Sequence, residues 1–252
     1  QASRSWDEVE GNPLEESKVK AAKELVEKAS YLGGNVQQYL GKKQEDTFEN
    51  LEQYVGAEGR YISITKSVRI FYPKEYLKGV EIVDTPGFND PIVSREERTK
   101  AFLKKADVVL LMLYAGRPFD ATDRNILFKN VRQCGIGKVL IGINKYDIPY
   151  GNGETEDEIK EYVTTEIKKA SKAYEDETLA DILKEATPIP LSAEMALLSE
   201  LPMSKIMDNE AFQFAWKRAC DTFEISSQEE MREKSHITNL TDAVRNMVKN
   251  EK

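Results

Sequence analysis

Two kinds of apolar pattern run along the chain. Val108-Val109-Leu110-Leu111-Met112-Leu113 and Val139-Leu140-Ile141-Gly142-Ile143 are unbroken or nearly so, which predicts strands covered on both faces of a parallel sheet. Val68, Ile70 and Tyr72 alternate with polar residues instead, as in a half-buried strand near a sheet edge. Val80, Ile82 and Val83 follow after only Pro73 to Lys78, and so short a connection predicts that these two segments form an antiparallel pair. A last short strand is predicted at Thr187 to Leu191.

Helical periodicity fills the intervals. Ala21, Ala22, Leu25 and Val26 share one face of a helix predicted over Lys18 to Tyr31. Ser94 with Glu97 makes a capping box ahead of a helix through Phe102 and Leu103, and Ile126, Leu127 and Val131 stripe another that stops at Gly135. A further helix is predicted from Glu156 to Tyr174, after an acidic loop from Tyr150 to Glu158. Beyond Ser192 the pattern is helical to the end, with Phe212, Phe214, Ala215 and Ala219 in one amphipathic segment and Leu240, Ala243, Val244 and Met247 in another. Strand alternating with helix predicts an α/β class: a doubly wound, mostly parallel sheet with right-handed crossovers, one antiparallel edge pair and a helical C-terminal segment. Residues 1–60 are expected as a polar helical segment, 61–205 as the core, and 206–252 as helices packing on it.

Composition narrows the possibilities. A chain of 252 residues fits one large domain with little room for a second. A formal charge of −8 opposes adsorption to nucleic acid or anionic lipid, and no apolar run reaches the roughly 20 residues that span a bilayer. Cys134 and Cys220 have no partner at metal-ligand spacing, and His236 is the only histidine, so a zinc site or a histidine-based triad lacks material. Buried free thiols in a reducing compartment are the expectation for the two cysteines, with a cytoplasmic setting and membrane association only in the intact protein; the start at Gln1, without methionine or leader, is expected of a fragment.

Ligands of open α/β sheets sit beyond the carboxyl ends of the strands, and three such places carry chemistry. Asp84-Thr85-Pro86-Gly87 follows Val80 to Val83. A carboxylate there holds Mg²⁺ through water, and a glycine three residues on lets a backbone N–H approach a γ-phosphate; the plainer alternative is a turn. Asn144-Lys145-Tyr146-Asp147 follows the strand ending at Ile143. The Asp147 carboxylate accepts from the N1–H and N2–H₂ edge of guanine, which adenine lacks; Asn144 ties the loop to neighbouring backbone, and the stem of Lys145 lies against the base. Ser192-Ala193-Glu194 follows Leu191, where the Ala193 N–H is placed for guanine O6 and Ser192 for bracing Asp147, with helix capping by Ser192 as the alternative. About 60 residues separate Asp84 from Asn144, and about 48 separate Asn144 from Ser192.

In this order and spacing the three motifs resemble the third, fourth and fifth motifs of GTPases. The surrounding text, Leu51-Glu52-Gln53-Tyr54-Val55, Ile64-Thr65-Lys66-Ser67-Val68, Tyr72-Pro73 and Leu77-Lys78-Gly79, is similar to the dynamin family and most of all to bacterial dynamin-like proteins. The resemblance covers roughly residues 46 to 195. It implies a GTPase that binds GTP or GDP with Mg²⁺, pairs with a second copy through its GTPase domain, and couples that pairing to membrane remodelling. Membrane contact is then made by regions outside this chain, and the final helix from about Gln228 is expected to begin a hinge bundle.

One part of the pattern is missing. Gly-x-x-x-x-Gly-Lys-Ser/Thr occurs nowhere in the chain, and that loop supplies most of the hold on the β- and γ-phosphates. The expectation is that it lies before Gln1 and that the chain alone holds GTP weakly. Phe88 stands where small signalling GTPases carry a water-orienting glutamine, and Phe88 to Pro91 is expected to move as the second switch. No catalytic residue is assigned: Thr47 and Thr65 are candidates for the first switch, and Arg95, Lys100 and Arg117 are charges that read best as solvated. The competing readings are a nucleotide-insensitive pseudo-GTPase that serves as an interaction module and a small ribosome-associated GTPase, which the acidic charge disfavours.

Overall fold

The computed structural model describes residues 13–33, 36–56, 58–85, 101–116, 138–173 and 187–249. The chain divides into two compact units, Gln1–Thr99 and Lys100–Lys252.

The first unit opens with α1 (Pro13–Ser30). Its covered face runs through Val19, with Ala22, Leu25 and Ala29 a turn apart, to Leu32 just beyond its end, while Val26 is exposed; the stripe is thus rotated from the one read in the sequence. Two single-turn helices follow, α2 (Val36–Tyr39) and α3 (Glu52–Val55). Asp46 ties the second of these down. Its carboxylate accepts from Thr47 N (2.8 Å), Asn50 Nδ2 (2.7 Å) and Tyr54 Oη (2.6 Å), and the Tyr54 ring stacks on Tyr61 at 5.2 Å. The hydrogen bond from the Asn50 side chain, with those from Tyr54 and Thr47, holds the Asp46 carboxyl below its usual range, and donation to Asp46 pushes the Tyr54 phenol up to about 12.

Residues 66–74 and 79–85 carry no strand. They are joined through a 3₁₀ turn at Glu75–Leu77 and by Gly79 at φ 75°, and the Arg69 guanidinium reaches Glu81 Oε1 at 3.3 Å. No ladder links them, so the antiparallel edge pair expected from the alternation is not present among the described residues. The physical reason is exposure: Val68, Ile70, Tyr72, Ile82 and Val83 all face solvent, and a two-stranded pair with nothing on its apolar face is marginal in water.

The second unit contains a parallel sheet, β1 (Val109–Tyr114), β2 (Val139–Asn144) and β3 (Ile189–Leu191), in that spatial order. Register runs from Val109 opposite Val139 to Tyr114 opposite Asn144, and Asn144 in turn lies opposite Leu191. All three strands therefore end at one level. Gly142 allows β1 and β2 to close up, because a Cβ there would sit 2.6 Å from Met112 Sδ.

A short helix α4 (Asp147–Gly151) leaves β2, and α5 (Glu156–Ala173) crosses to β3, burying Ile159, Val163 and Ile167 on one face. After β3 come α6 (Ala193–Glu200), α7 (Met203–Met207), α8 (Glu210–Phe223), α9 (Gln228–Lys234) and α10 (Ile237–Lys249). Their ends are well capped. Asn209 Oδ1 accepts from Phe212 N, Ser227 and Glu230 form a reciprocal capping box, and Gln228 Nε2 donates to the Leu198 and Leu201 carbonyls that α6 leaves open. Met195, Leu198, Ile206 and Met231 are fully buried. Phe214, read in the sequence as part of the apolar stripe of α8, points to solvent, while Ala215, Ala219 and Phe223 make the covered face. The cap at Ser94 and Glu97 and the stripe of Ile126, Leu127 and Val131 ending at Gly135 lie outside the described residues.

Candidate functional site

The carboxyl edge of the sheet is where the second and third motifs meet. Because β2 and β3 end side by side, Asn144 and Ser192 leave the sheet at the same level. Asn144 Oδ1 accepts from Lys145 N at 2.8 Å and from Ala193 N at 3.0 Å, and Tyr146 N donates to Leu191 O at 3.3 Å. One amide side chain thus fastens the two loops together. Lys145 takes a left-handed backbone, φ 61°, which costs a side-chain-bearing residue about 1–2 kcal/mol. The Asn144 side chain, bonded to the N–H of that residue, offsets the cost, and the turn lets the chain pass from strand into α4 within two residues. Lys145 Nζ sits 5.5 Å from the centre of the Tyr114 ring.

Tyr146, between the two polar members of its motif, is a structural anchor. It has no exposed surface, its hydroxyl donates to Lys234 O at the end of α9, and its ring stacks on His236 at 5.0 Å and packs near Phe223. Burial, with the negative charges of Glu156 and Asp147 nearby, pushes its phenol far above the ordinary tyrosine range. His236 is held in place as well, with Nδ1 3.2 Å from Pro190 O and Nε2 3.6 Å from Glu156. The motif is therefore braced from behind by the junction of α9 and α10.

Asp147 opens α4 with its carboxylate almost completely buried, 4% of the side chain being exposed. Oδ2 accepts from Arg218 at 3.0 Å, and Oδ1 has no partner. A buried carboxylate oxygen left without a donor costs about 1–3 kcal/mol, so an unsatisfied acceptor at this edge points to a ligand that donates. The same Arg218 nitrogen reaches Glu194 Oε2 at 2.6 Å. Arg218, on α8, thus joins the two motifs from outside both. The sequence reading missed it. Its only signal there is position, since it falls between Ala215 and Ala219 on the edge of the stripe that α8 buries.

The remaining predicted residues fall differently. The Ser192 hydroxyl accepts from Met195 N at 3.3 Å and caps α6 instead of bracing Asp147. The Ala193 N–H, read as a donor to guanine O6, is engaged by Asn144. Glu194 is exposed and bonded to Arg218. Asp84 belongs to the first unit, where its side chain is exposed. Gly87 lies outside the described residues, as do Phe88 to Pro91, Arg95, Lys100, Arg117 and Cys134. A cleft of about 630 Å³ lined by Tyr150, Gly151, Phe214, Lys217, Arg218 and Thr222 lies on the flank of α8; of the site residues only Arg218 borders it. Among the described residues, no group of three or more His, Cys, Asp or Glu side chains stands ready to hold a metal, and no helix is long and apolar enough to cross a membrane.

Comparison with known proteins gives the family. The sequence profile of the dynamin family matches residues 14–147. Dynamin-like protein 1 of Campylobacter jejuni is 28% identical over 149 residues, covering 57% of this chain and 20% of its own length. Dynamin-like protein A of Bacillus subtilis is 28% identical over 174 residues, 66% of this chain and 14% of its own. An FZO-like transmembrane GTPase of the Arabidopsis thaliana chloroplast is 26% identical over 147 residues, 58% of this chain and 14% of its own. The chain spans a fifth or less of the length of these relatives. No solved structure matches it significantly.

Proposed function

The chain belongs to the dynamin family, and from that premise we propose that it supplies the guanine-reading part of a GTPase that binds and hydrolyses GTP. The observation that carries this is the buried, unpartnered Oδ1 of Asp147 at the carboxyl edge of the sheet. Guanine brings an N1–H and an N2–H₂ to such a carboxylate, whereas adenine meets it with an acceptor at N1. Asn144 holds the reader loop against the Ala193 loop, Lys145 flanks the base, Ser192 caps the helix that follows, and Glu194 bears on the base through Arg218. Tyr146 keeps the loop from shifting as the ligand enters.

The metal and the phosphates fall to the other motif. Mg²⁺ in such sites needs one or two carboxylates and draws its remaining ligands from phosphate and water. A single exposed Asp84 fits that donor set, and Gly87 leaves room for the γ-phosphate. The ion, when bound, neutralises charge on the phosphates. The chain has no Gly-x-x-x-x-Gly-Lys-Ser/Thr, so we assign the phosphate cradle to sequence outside it; without that cradle this chain alone holds GTP weakly.

Family membership further supports self-association through the GTPase domain, coupled to membrane remodelling, with membrane contact made elsewhere in a cytoplasmic protein. A pseudo-GTPase that only binds partners is the second reading, favoured by the absent cradle and by the arginine already seated on Asp147.

Displacement of a fluorescent GDP from the full-length protein separates the two. The proposed reading expects GTP and GDP to compete about a hundredfold or more better than ATP, since a site built around polar pairing rejects a base that leaves it unpaired. Equal competition by ATP, or no binding, overturns it.

A further inference from the structure

The guanidinium of Arg218 stands between two carboxylates of different character. One is the buried Asp147, which it meets through Oδ2 at 3.0 Å; the other is the exposed Glu194, met by the same nitrogen at 2.6 Å. Guanine presents two donors to the reader carboxylate. Oδ1 is buried and has no hydrogen-bond partner, which leaves it for one of them, but Oδ2 is already taken. We propose that Arg218 competes with guanine for Asp147 and that Glu194 is the partner to which it withdraws, so that this pair of side chains sets how tightly, and how selectively for the 2-amino group, the base is read. This rests on the assignment of Asp147 as the guanine reader.

Three features support exchange over a fixed ion pair. First, Arg218 already touches both partners, so a full transfer to Glu194 is a small rotation with no passage through an unpaired state. Second, the transfer moves its charge from a buried carboxylate to an exposed one, where water shares in solvating it, while the guanine donors take its place on Asp147. A buried charge stripped of its partner and given nothing in return is strongly disfavoured; here each group keeps a partner at every stage. Third, Arg218 projects from α8, which lies outside all three motifs, so its side chain can change partner without moving the backbone of either loop.

The consequence is a pair of substitutions with opposite signs. Arg218→Gln removes the competitor and tightens GTP binding about tenfold. Glu194→Gln removes the resting place, keeps Arg218 on Asp147 and weakens GTP binding about tenfold. The double variant behaves as Arg218→Gln, because Glu194 acts only through the arginine. Inosine nucleotides carry a single donor on this edge and are served by Oδ1 alone, so their affinity moves much less than that of GTP in both single variants. A merely structural role for Arg218 predicts parallel changes for GTP and ITP.

The test is competition of GTP, ITP and ATP against a fluorescent GDP on the full-length protein and the three variants, with folding checked by circular dichroism. Opposite shifts for GTP, with ITP nearly still and the double variant matching Arg218→Gln, support the proposal. If Arg218→Gln does not fold, Glu194→Gln decides, since it leaves the Asp147–Arg218 pair intact; an affinity for GTP that is unchanged or tighter then overturns the proposal. Guanine-selective binding by the unaltered protein together with shifts in one direction, or none, overturns the role of Arg218 alone. Failure of the unaltered protein to prefer guanine overturns the reader assignment and this proposal with it.

Discussion

Residues 66–85 and strand β2 are both written in β-forming side chains, and they meet opposite ends. Ile141 and Ile143 of β2 are fully buried, whereas Ile82 and Phe71 are 76% and 84% exposed. The difference lies in what each segment has to pack against. β2 has a strand on either side and helices over it, so its apolar residues leave water and its backbone groups find ladder partners. The first unit offers residues 66–85 a side-chain ion pair and a turn, and no covering layer. Hydrophobic alternation states a preference for being half-buried; it becomes a strand only where something supplies the burial.

The contrast breaks most visibly under mutation. Ile143→Ala should cost about 2–5 kcal/mol through lost burial and the cavity left behind, whereas Ile82→Ala should change stability by no more than about 0.5 kcal/mol. Urea unfolding of the two variants measures both. Equal losses would mean that residues 66–85 are as well packed as the sheet.

A smaller effect is expected behind the Asn144–Asp147 loop. Tyr146→Phe keeps the ring against His236 but leaves Lys234 O without its donor, and about 1–3 kcal/mol should be lost. Thermal unfolding gives the value, and a variant as stable as the parent would show that the hydroxyl contributes nothing to the brace.

The smallest effect belongs to the first unit and is one of pH. The Asp46–Tyr54 hydrogen bond holds the aspartate pKa down and the phenol up, to about 12. For the lowered aspartate the contribution is present above its ordinary value of 3.8 and fades as pH falls through the depressed one. For the raised tyrosine it is complete below 10 and lost as pH climbs toward about 12. Tyrosinate absorbance should show one phenol titrating late, and Asp46→Asn should bring it back toward 10. A Tyr54 that titrates with the exposed tyrosines would contradict the hydrogen bond.

Much of the second unit was legible in the sequence because its signals are local and agree with one another. The apolar runs mark the bounds of β1 and β2 to within a residue, although only β2 is covered on both faces, Leu110, Met112 and Tyr114 of β1 being exposed, and the helix from Glu156 is marked by its charged first turn and its spacing of Ile159, Val163 and Ile167. The motif residues follow from their place after a strand. What the sequence hides is which neighbour a polar group chooses. Ala193 bonds to Asn144 because two loops 49 positions apart meet there at 3.0 Å, whereas the Ser192 cap on Met195 N is local, three residues on, and was the alternative the sequence offered. Arg218 is hidden for the same reason, being 71 residues from Asp147. Residues 66–85 mislead in the opposite sense: their local pattern is clear, but the burial that would make it structural is not supplied within the first unit.

The central claim is that Asp147 reads guanine at the carboxyl edge of this sheet. Its most direct test is the relative affinity of the full-length protein for GTP and XTP before and after Asp147→Asn. An amide presents a donor where the carboxylate presented an acceptor, and xanthine carries an oxygen where guanine carries its 2-amino group. The account predicts a preference for GTP in the unaltered protein and a swing of at least about tenfold toward XTP in the variant. A GTP-to-XTP ratio that the substitution leaves unchanged would contradict it.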